Sequence, residues 1–128
     1  MTILVTGASG HLGANLVRRL LDDGHSVRVL LREGSNNAAV DKLDLERIYG
    51  DLRDFSSVVA AVKGCDRIYH CAAKVSTLDG KPQFQREIYE SNVLGTIHIL
   101  RAALNADVTK VVVSGSFSAT GHHPEKPS

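Results

Sequence analysis

The chain has 128 residues, enough for one domain with a real core, and its 43% apolar and 23% charged residues are ordinary for a soluble globular protein. Fifteen basic against fourteen acidic residues leave a net charge of +1, so neither a nucleic acid nor a membrane surface is implied as a partner. No apolar run reaches membrane-spanning length, and Thr6 to Gly13 interrupts the first apolar stretch too early for a secretory leader. Cys65 and Cys71 lack metal-ligand spacing and read as reduced structural thiols, so the expected location is cytoplasmic, with no metal.

In chain order, the pattern predicts a first strand over Thr2–Thr6 and a helix from about His11 to Asp23. Leu12, Leu16 and Leu20, with Val17 and Leu21, give that helix one apolar face, and Gly24 stops it. Ser26–Leu31 is apolar apart from Arg28, as suits a strand covered on both faces. Glu33–Leu45 is polar and poorly patterned, a loop with room for a short helix. A third strand is expected over Glu46–Tyr49, followed by the turn Gly50-Asp51-Leu52-Arg53-Asp54. Asp54 then caps a helix from Phe55 to Lys63 with Val58, Val59 and Val62 inward, and Gly64 ends it. Strand four is Arg67–Cys71, and a loop runs from Ala72 to Pro82. A long helix from about Gln83 to Asn105 carries Val93, Ile97, Leu100 and Leu104 at helical spacing. Strand five is Lys110–Ser114, and Phe117–Ser128 shows no clear pattern.

Strands alternating with helices predict an α/β fold: a doubly wound parallel sheet of the Rossmann type, strand order 3-2-1-4-5. Its ligand crevice is expected at the carboxyl ends of the strands, beside strand one. There the chain places Thr6-Gly7-Ala8-Ser9-Gly10-His11-Leu12-Gly13, a glycine-rich turn between a strand and a helix. A diphosphate suits such a turn, because glycine lets the backbone approach an oxyanion and the helix offers free N–H groups. The spacing is G-x-x-G-x-x-G, and by itself it fits a tight turn with no ligand equally well.

The motifs and their order resemble the extended short-chain dehydrogenase/reductase family, which includes nucleotide-sugar epimerases, dehydratases and dihydroflavonol reductases. The resemblance covers almost the whole chain. It implies that Thr6, Gly7, Gly10, His11, Leu12 and Gly13 form the diphosphate turn, and that Asp51 and Leu52 contact the adenine. It lays His70-Cys71-Ala72-Ala73 along the cofactor, with the small Ala72 and Ala73 admitting ribose and diphosphate; His70 is expected to be a packed, hydrogen-bonded side chain and not a base. Asn92, in Asn92-Val93-Leu94-Gly95-Thr96, matches the residue that braces the backbone near the active site in relatives, and Gly95 within a helix suggests close packing against the sheet. Counting back from Gly121 puts Ser116 on the family's catalytic Ser/Thr, with Ser118 as a substrate contact. The adjacent His122 and His123 lack supporting ligands and read as a solvated loop.

Relatives use a Tyr-x-x-x-Lys unit as acid and base, and none of Tyr49, Tyr69 or Tyr89 has a lysine four residues on. Residues 1–128 are therefore expected to be an NAD(P)-binding domain, the N-terminal part of a longer enzyme that acts on a carbonyl, sugar or steroid-like small molecule, and inactive by themselves. The other reading is a non-catalytic dinucleotide sensor. Relatives often dimerise through a bundle containing the long helix, so a homodimer of the full-length protein is a further expectation. At the end of strand two, where NAD-specific sites carry an acid, stand Leu31 and Arg32. Dihydroflavonol reductase-like relatives have arginine there and use NADP, and a guanidinium pairs well with a 2′-phosphate, so NADP(H) is expected over NAD(H).

Overall fold

Ile3, Leu4 and Val5 are all fully buried, so the first strand, β1 (Thr2–Thr6), needs cover on both faces and lies at the centre of the sheet. The computed structural model describes residues 2–34, 37–71, 86 and 90–114. β2 (Ser26–Leu31) and β4 (Arg67–His70) flank β1, with β3 (Glu46–Tyr49) and β5 (Lys110–Val113) outside them. All four pairings are parallel and the order is β3-β2-β1-β4-β5, as the strand–helix alternation predicts. The order reverses beside β1, which opens a crevice at the carboxyl ends of β1 and β4.

Alternation along the strands splits the core in two. Ile3, Val5, Val27, Val29 and Leu31 pack with Val17 and Leu20 of α1 (His11–Asp22). Leu4, Leu30 and Ile68 pack on the other face with Val58, Ala61 and Val62 of α2 (Phe55–Val62) and Ile99, Ala102 and Ala103 of α3 (Gly95–Asn105). Each of the Val, Leu and Ile side chains contributes about 1.5–3 kcal/mol by leaving water.

The structure departs from the sequence pattern at several positions. Leu12 does not join the buried face of α1; it is 58% exposed at the helix mouth. Asp54 caps α2 by accepting from the Ser56 amide, as expected, but Val59 points outward and Ala61 takes its place, because positions 58, 61 and 62 share the helical face. α1, α2, β4 and β5 each end one residue early. In the described part of the long helix, Arg86 is helical, and a π-helical turn, Glu90–Leu94, runs into α3. Residues 83–85 and 87–89 lie outside the described residues. Its spaced stripe Val93, Ile97, Leu100 and Leu104 is exposed, whereas Gly95, Ile99, Ala102 and Ala103 are buried. Gly95 is closely packed, but against the turn before α2 instead of the sheet: a Cβ there would lie 3.1 Å from Leu52 Cβ.

Two arginines close the crossovers. Arg47 donates to the carbonyls of Val40, Asp41, Leu43 and Leu45, which holds the β2–β3 connection around a 3₁₀ turn, Ala38–Val40. That connection shows no helical pattern because a guanidinium, and not a helical ladder, satisfies its carbonyls. Arg28, the lone charge in β2, donates to Ala61 O (2.8 Å), Lys63 O (2.6 Å) and Glu46 Oε1 (2.9 Å). It therefore caps the negative C-terminal end of α2.

Candidate functional site

The three motif glycines are small for three different reasons. Gly7 has φ +72°, a left-handed conformation that turns the chain out of β1. At Gly13 a Cβ would fall 2.1 Å from Gly7 O and 2.9 Å from Ala8 Cα, so α1 can lie this close to the turn only without a side chain there. Gly10 has neither need: its φ is −83°, and a Cβ would meet nothing nearer than Gly7 O at 3.4 Å. It is exposed, and its missing side chain leaves open the space over the N-terminus of α1.

That N-terminus is prepared differently from its neighbour. α2 has its own carboxylate cap in Asp54; α1 has no side-chain cap and no acid in its first turn. Its first-turn amides and the positive end of its dipole therefore face outward at His11 and Leu12, which suits an external anion. A dinucleotide diphosphate fits this cradle, which a Cβ at Gly10 would fill.

A second hollow lies at the carboxyl ends of β2 and β3. Arg32, Glu33, Tyr49, Gly50, Asp51 and Ser57 line a cavity of about 380 Å³. Asp51 is held by Arg53 through a forked pair, with Arg53 Nη2 2.8 Å from Oδ2 and Nε 3.1 Å from Oδ1, and the Arg53 amide donates to Oδ1 at 2.9 Å. The side-chain hydrogen bonds from Arg53 are the main reason its carboxyl falls to about pKa 2, with a smaller contribution from the charge of Arg32. Leu52, expected at the adenine, is not a wall of this cavity: its side chain packs toward Gly95 and its carbonyl accepts from His98 Nδ1 at 2.7 Å.

Thr6 and His70 meet under the glycine turn. Thr6 is 1% exposed and its Oγ1 lies 2.6 Å from His70 Nδ1; His70 Nε2 lies 3.1 Å from Thr96 Oγ1. Burial lowers the His70 pKa to about 4, so the ring is neutral at pH 7 and packed, as the motif reading expects. Thr6 thus serves the turn from inside the protein. Asn92 is half-buried in the π turn, and its carbonyl accepts from Thr96 Oγ1 at 2.7 Å. Sequence reasoning passed over Thr96, Arg53 and Arg28; the single charge in an otherwise apolar strand was the available signal for the last. Ala72, Ala73, Ser116, Ser118, His122 and His123 lie outside the described residues.

A five-stranded parallel sheet with an uncapped helix and an open glycine turn at its switch point defines a dinucleotide-binding α/β domain. Residues 3–128 match the model of the NAD dependent epimerase/dehydratase family, and the chain belongs to that family. It is 50% identical over 128 residues to sterol demethylase protein B of Methylococcus capsulatus, matching 100% of this chain and 38% of the relative. A putative dihydroflavonol 4-reductase of Synechocystis is 40% identical over 118 residues, 91% of this chain and 33% of the relative. Among solved structures, a short-chain dehydrogenase/reductase superfamily protein from Agrobacterium tumefaciens with bound NAD superposes with a TM-score of 0.77 at 28% identity, covering 91% of this chain and 33% of that one. The chain thus spans about a third of the length of these relatives.

Proposed function

We propose that this chain is the cofactor-binding part of an NADP(H)-dependent oxidoreductase or epimerase/dehydratase acting on a carbonyl, sugar or steroid-like small molecule. The observation that carries the reading is Gly10, a glycine that neither its φ nor its neighbours require, standing over the uncapped end of α1. Gly7, Gly10, His11, Leu12 and Gly13 would hold the diphosphate, and Arg32 and Asp51 the adenosine half. When bound, the nicotinamide ring supplies hydride transfer. Asn92 and Ser116 would hold the backbone and the substrate oxygen near it. The sterol relative at 50% identity favours a steroid-like substrate within this range.

Arg32 supports the preference for NADP(H). It follows Leu31, which ends β2 where NAD-specific sites carry the ribose-binding acid, and it lines the cavity at the ends of β2 and β3, while the nearby Asp51 carboxylate is engaged by Arg53. Calorimetric titration with NADPH and NADH tests this; equal affinities, or tighter NADH, would sink the NADP(H) assignment. Without a Tyr-x-x-x-Lys unit, residues 1–128 are expected to bind cofactor but to reduce no aldehyde or ketone. Turnover by the pure 128-residue chain would overturn that expectation. The exposed stripe of Val93, Ile97, Leu100 and Leu104 supports a homodimer of the longer protein, to be read from its mass in solution.

A further inference from the structure

Strand β1 ends at Thr6, β4 ends at His70, and the two residues are partners in the parallel register. Thr96 stands one residue into α3, on the face that covers them. The contacts among these three leave one proton assignment. Thr96 Oγ1 is 2.7 Å from the Asn92 carbonyl, which can only accept, so the single hydroxyl proton points there. Toward His70 Nε2, 3.1 Å away, Thr96 can then only accept, and Nε2 must carry a proton. In a neutral ring Nδ1 is therefore the acceptor, and Thr6 Oγ1 donates to it across 2.6 Å.

The backbone supplies a second, independent sign at the same place. A hydroxyl bonded to the carbonyl four residues back bends a helix, and here that bond falls where the π turn Glu90–Leu94 passes into α3. Short π-helical turns are commonly found at functional sites. Asn92 sits in that turn, half-buried.

We propose that Thr6, His70 and Thr96 form a fixed hydrogen-bonded bridge, with His70 as its Nε2–H tautomer, that positions the Asn92 turn relative to the glycine turn. His70 and Thr96 are positioning residues: they act by setting the distance between the helix turn and the strand that feeds Gly7. The role of Asn92 rests on the dinucleotide reading above; the tautomer and the bridge do not.

Nitrogen-15 NMR of histidine-labelled protein in its natural length tests the bridge directly, with His70 assigned by the signal lost in His70→Gln. The expected spectrum at pH 7 has a pyrrole-type Nε2 and a pyridine-type Nδ1; the opposite tautomer, or an imidazolium, overturns the proposal. Thr96→Val removes both the acceptor for Nε2–H and the donor to Asn92 O. It should speed exchange of the Nε2 proton and lower kcat by about 10- to 100-fold at little-changed dinucleotide Kd, as a displaced positioning element does. Thr96→Ser should restore both. Wild-type turnover in Thr96→Val, or no rescue by serine, refutes the positioning role. If Thr96→Val does not fold, the wild-type tautomer and the serine variant still decide. A protein that binds neither NADH nor NADPH refutes the dinucleotide reading and the role of Asn92 with it, whatever the tautomer.

Discussion

Replacing Gly13 with alanine separates the packing role of one motif glycine from the ligand role of another. On propensity alone the change should stabilise α1 by about 1 kcal/mol. The new Cβ, however, would stand 2.1 Å from Gly7 O, 2.6 Å from Gly7 C and 2.9 Å from Ala8 Cα, all of them backbone atoms that no rotamer change can move. Reaching ordinary contact requires the N-terminal turn of α1 to retreat by roughly 1 Å, loosening Val17 and Leu20 over Ile3 and Val5. Overpacking of this kind costs about 1–3 kcal/mol, and each cubic ångström of space opened under the helix about 24 cal/mol more. After subtraction of the helix gain, and with roughly 40 Å³ of opened space adding about 1 kcal/mol, a net loss of about 1–3 kcal/mol is expected, read as a lower urea midpoint at unchanged slope. An alanine variant as stable as the parent, or more stable, would show that α1 does not sit this close to the turn.

Gly10→Val should behave oppositely: φ −83° and open space at Cβ leave stability close to that of the parent, while titration with NADPH detects no binding; a folded variant with normal affinity would place the diphosphate elsewhere. His70 gives stability a pH dependence of defined sign. Its folded pKa of about 4 lies below the ordinary 6.5, so between these values the unfolded chain binds more protons. Stability should fall by on the order of 3 kcal/mol as pH drops from about 6.5 to 4, and His70→Gln should flatten that slope in denaturation series. Arg28→Met keeps the aliphatic stem but leaves the carbonyls of Ala61 and Lys63 without their donor; a loss of about 1–3 kcal/mol is expected by thermal melting, and no change would mean that water replaces the guanidinium. Arg32→Glu should move cofactor preference toward NADH in paired titrations, and unchanged selectivity would remove Arg32 from the adenosine site.

β2 and β3 were legible to the residue because an unbroken apolar run, or a short one between loop signals, has a sharp edge in the sequence. The facing of helices was less legible. Val59 and Ala61 are both compatible with the α2 pattern, and only the sheet decides which one is inward. Val93, Ile97, Leu100 and Leu104 are correctly spaced for a helix, yet α3 turns its smaller residues, Gly95, Ala102 and Ala103, to the protein; hydrophobic spacing marks an apolar stripe but not what covers it. In the candidate site, the glycine spacing pointed to the turn between β1 and α1, whereas the separate tasks of Gly7, Gly10 and Gly13 needed a φ angle and two hypothetical Cβ distances. The inward turn of Leu52 and the Arg53 grip on Asp51 depend on contacts that no spacing rule encodes.

The pairing of Thr6 with His70 also bears on how the sheet finds its alignment. β1 and β4 are separated in the chain by the stretch that holds β2 and β3, with His70 standing 64 positions after Thr6, and apolar strands of this kind can slide past one another. A slip of a single residue would bring Tyr69 or Cys71 opposite Thr6 and turn Ile68 from one core to the other. It would also strand a buried imidazole and a buried hydroxyl, at about 1–3 kcal/mol for each group left unmatched. Ile and Val tolerate many neighbours; a histidine with a defined proton does not. The polar pair inside an otherwise greasy sheet thus works as a proofreading mark, admitting the alignment that also builds the crevice and rejecting those that would fold without one.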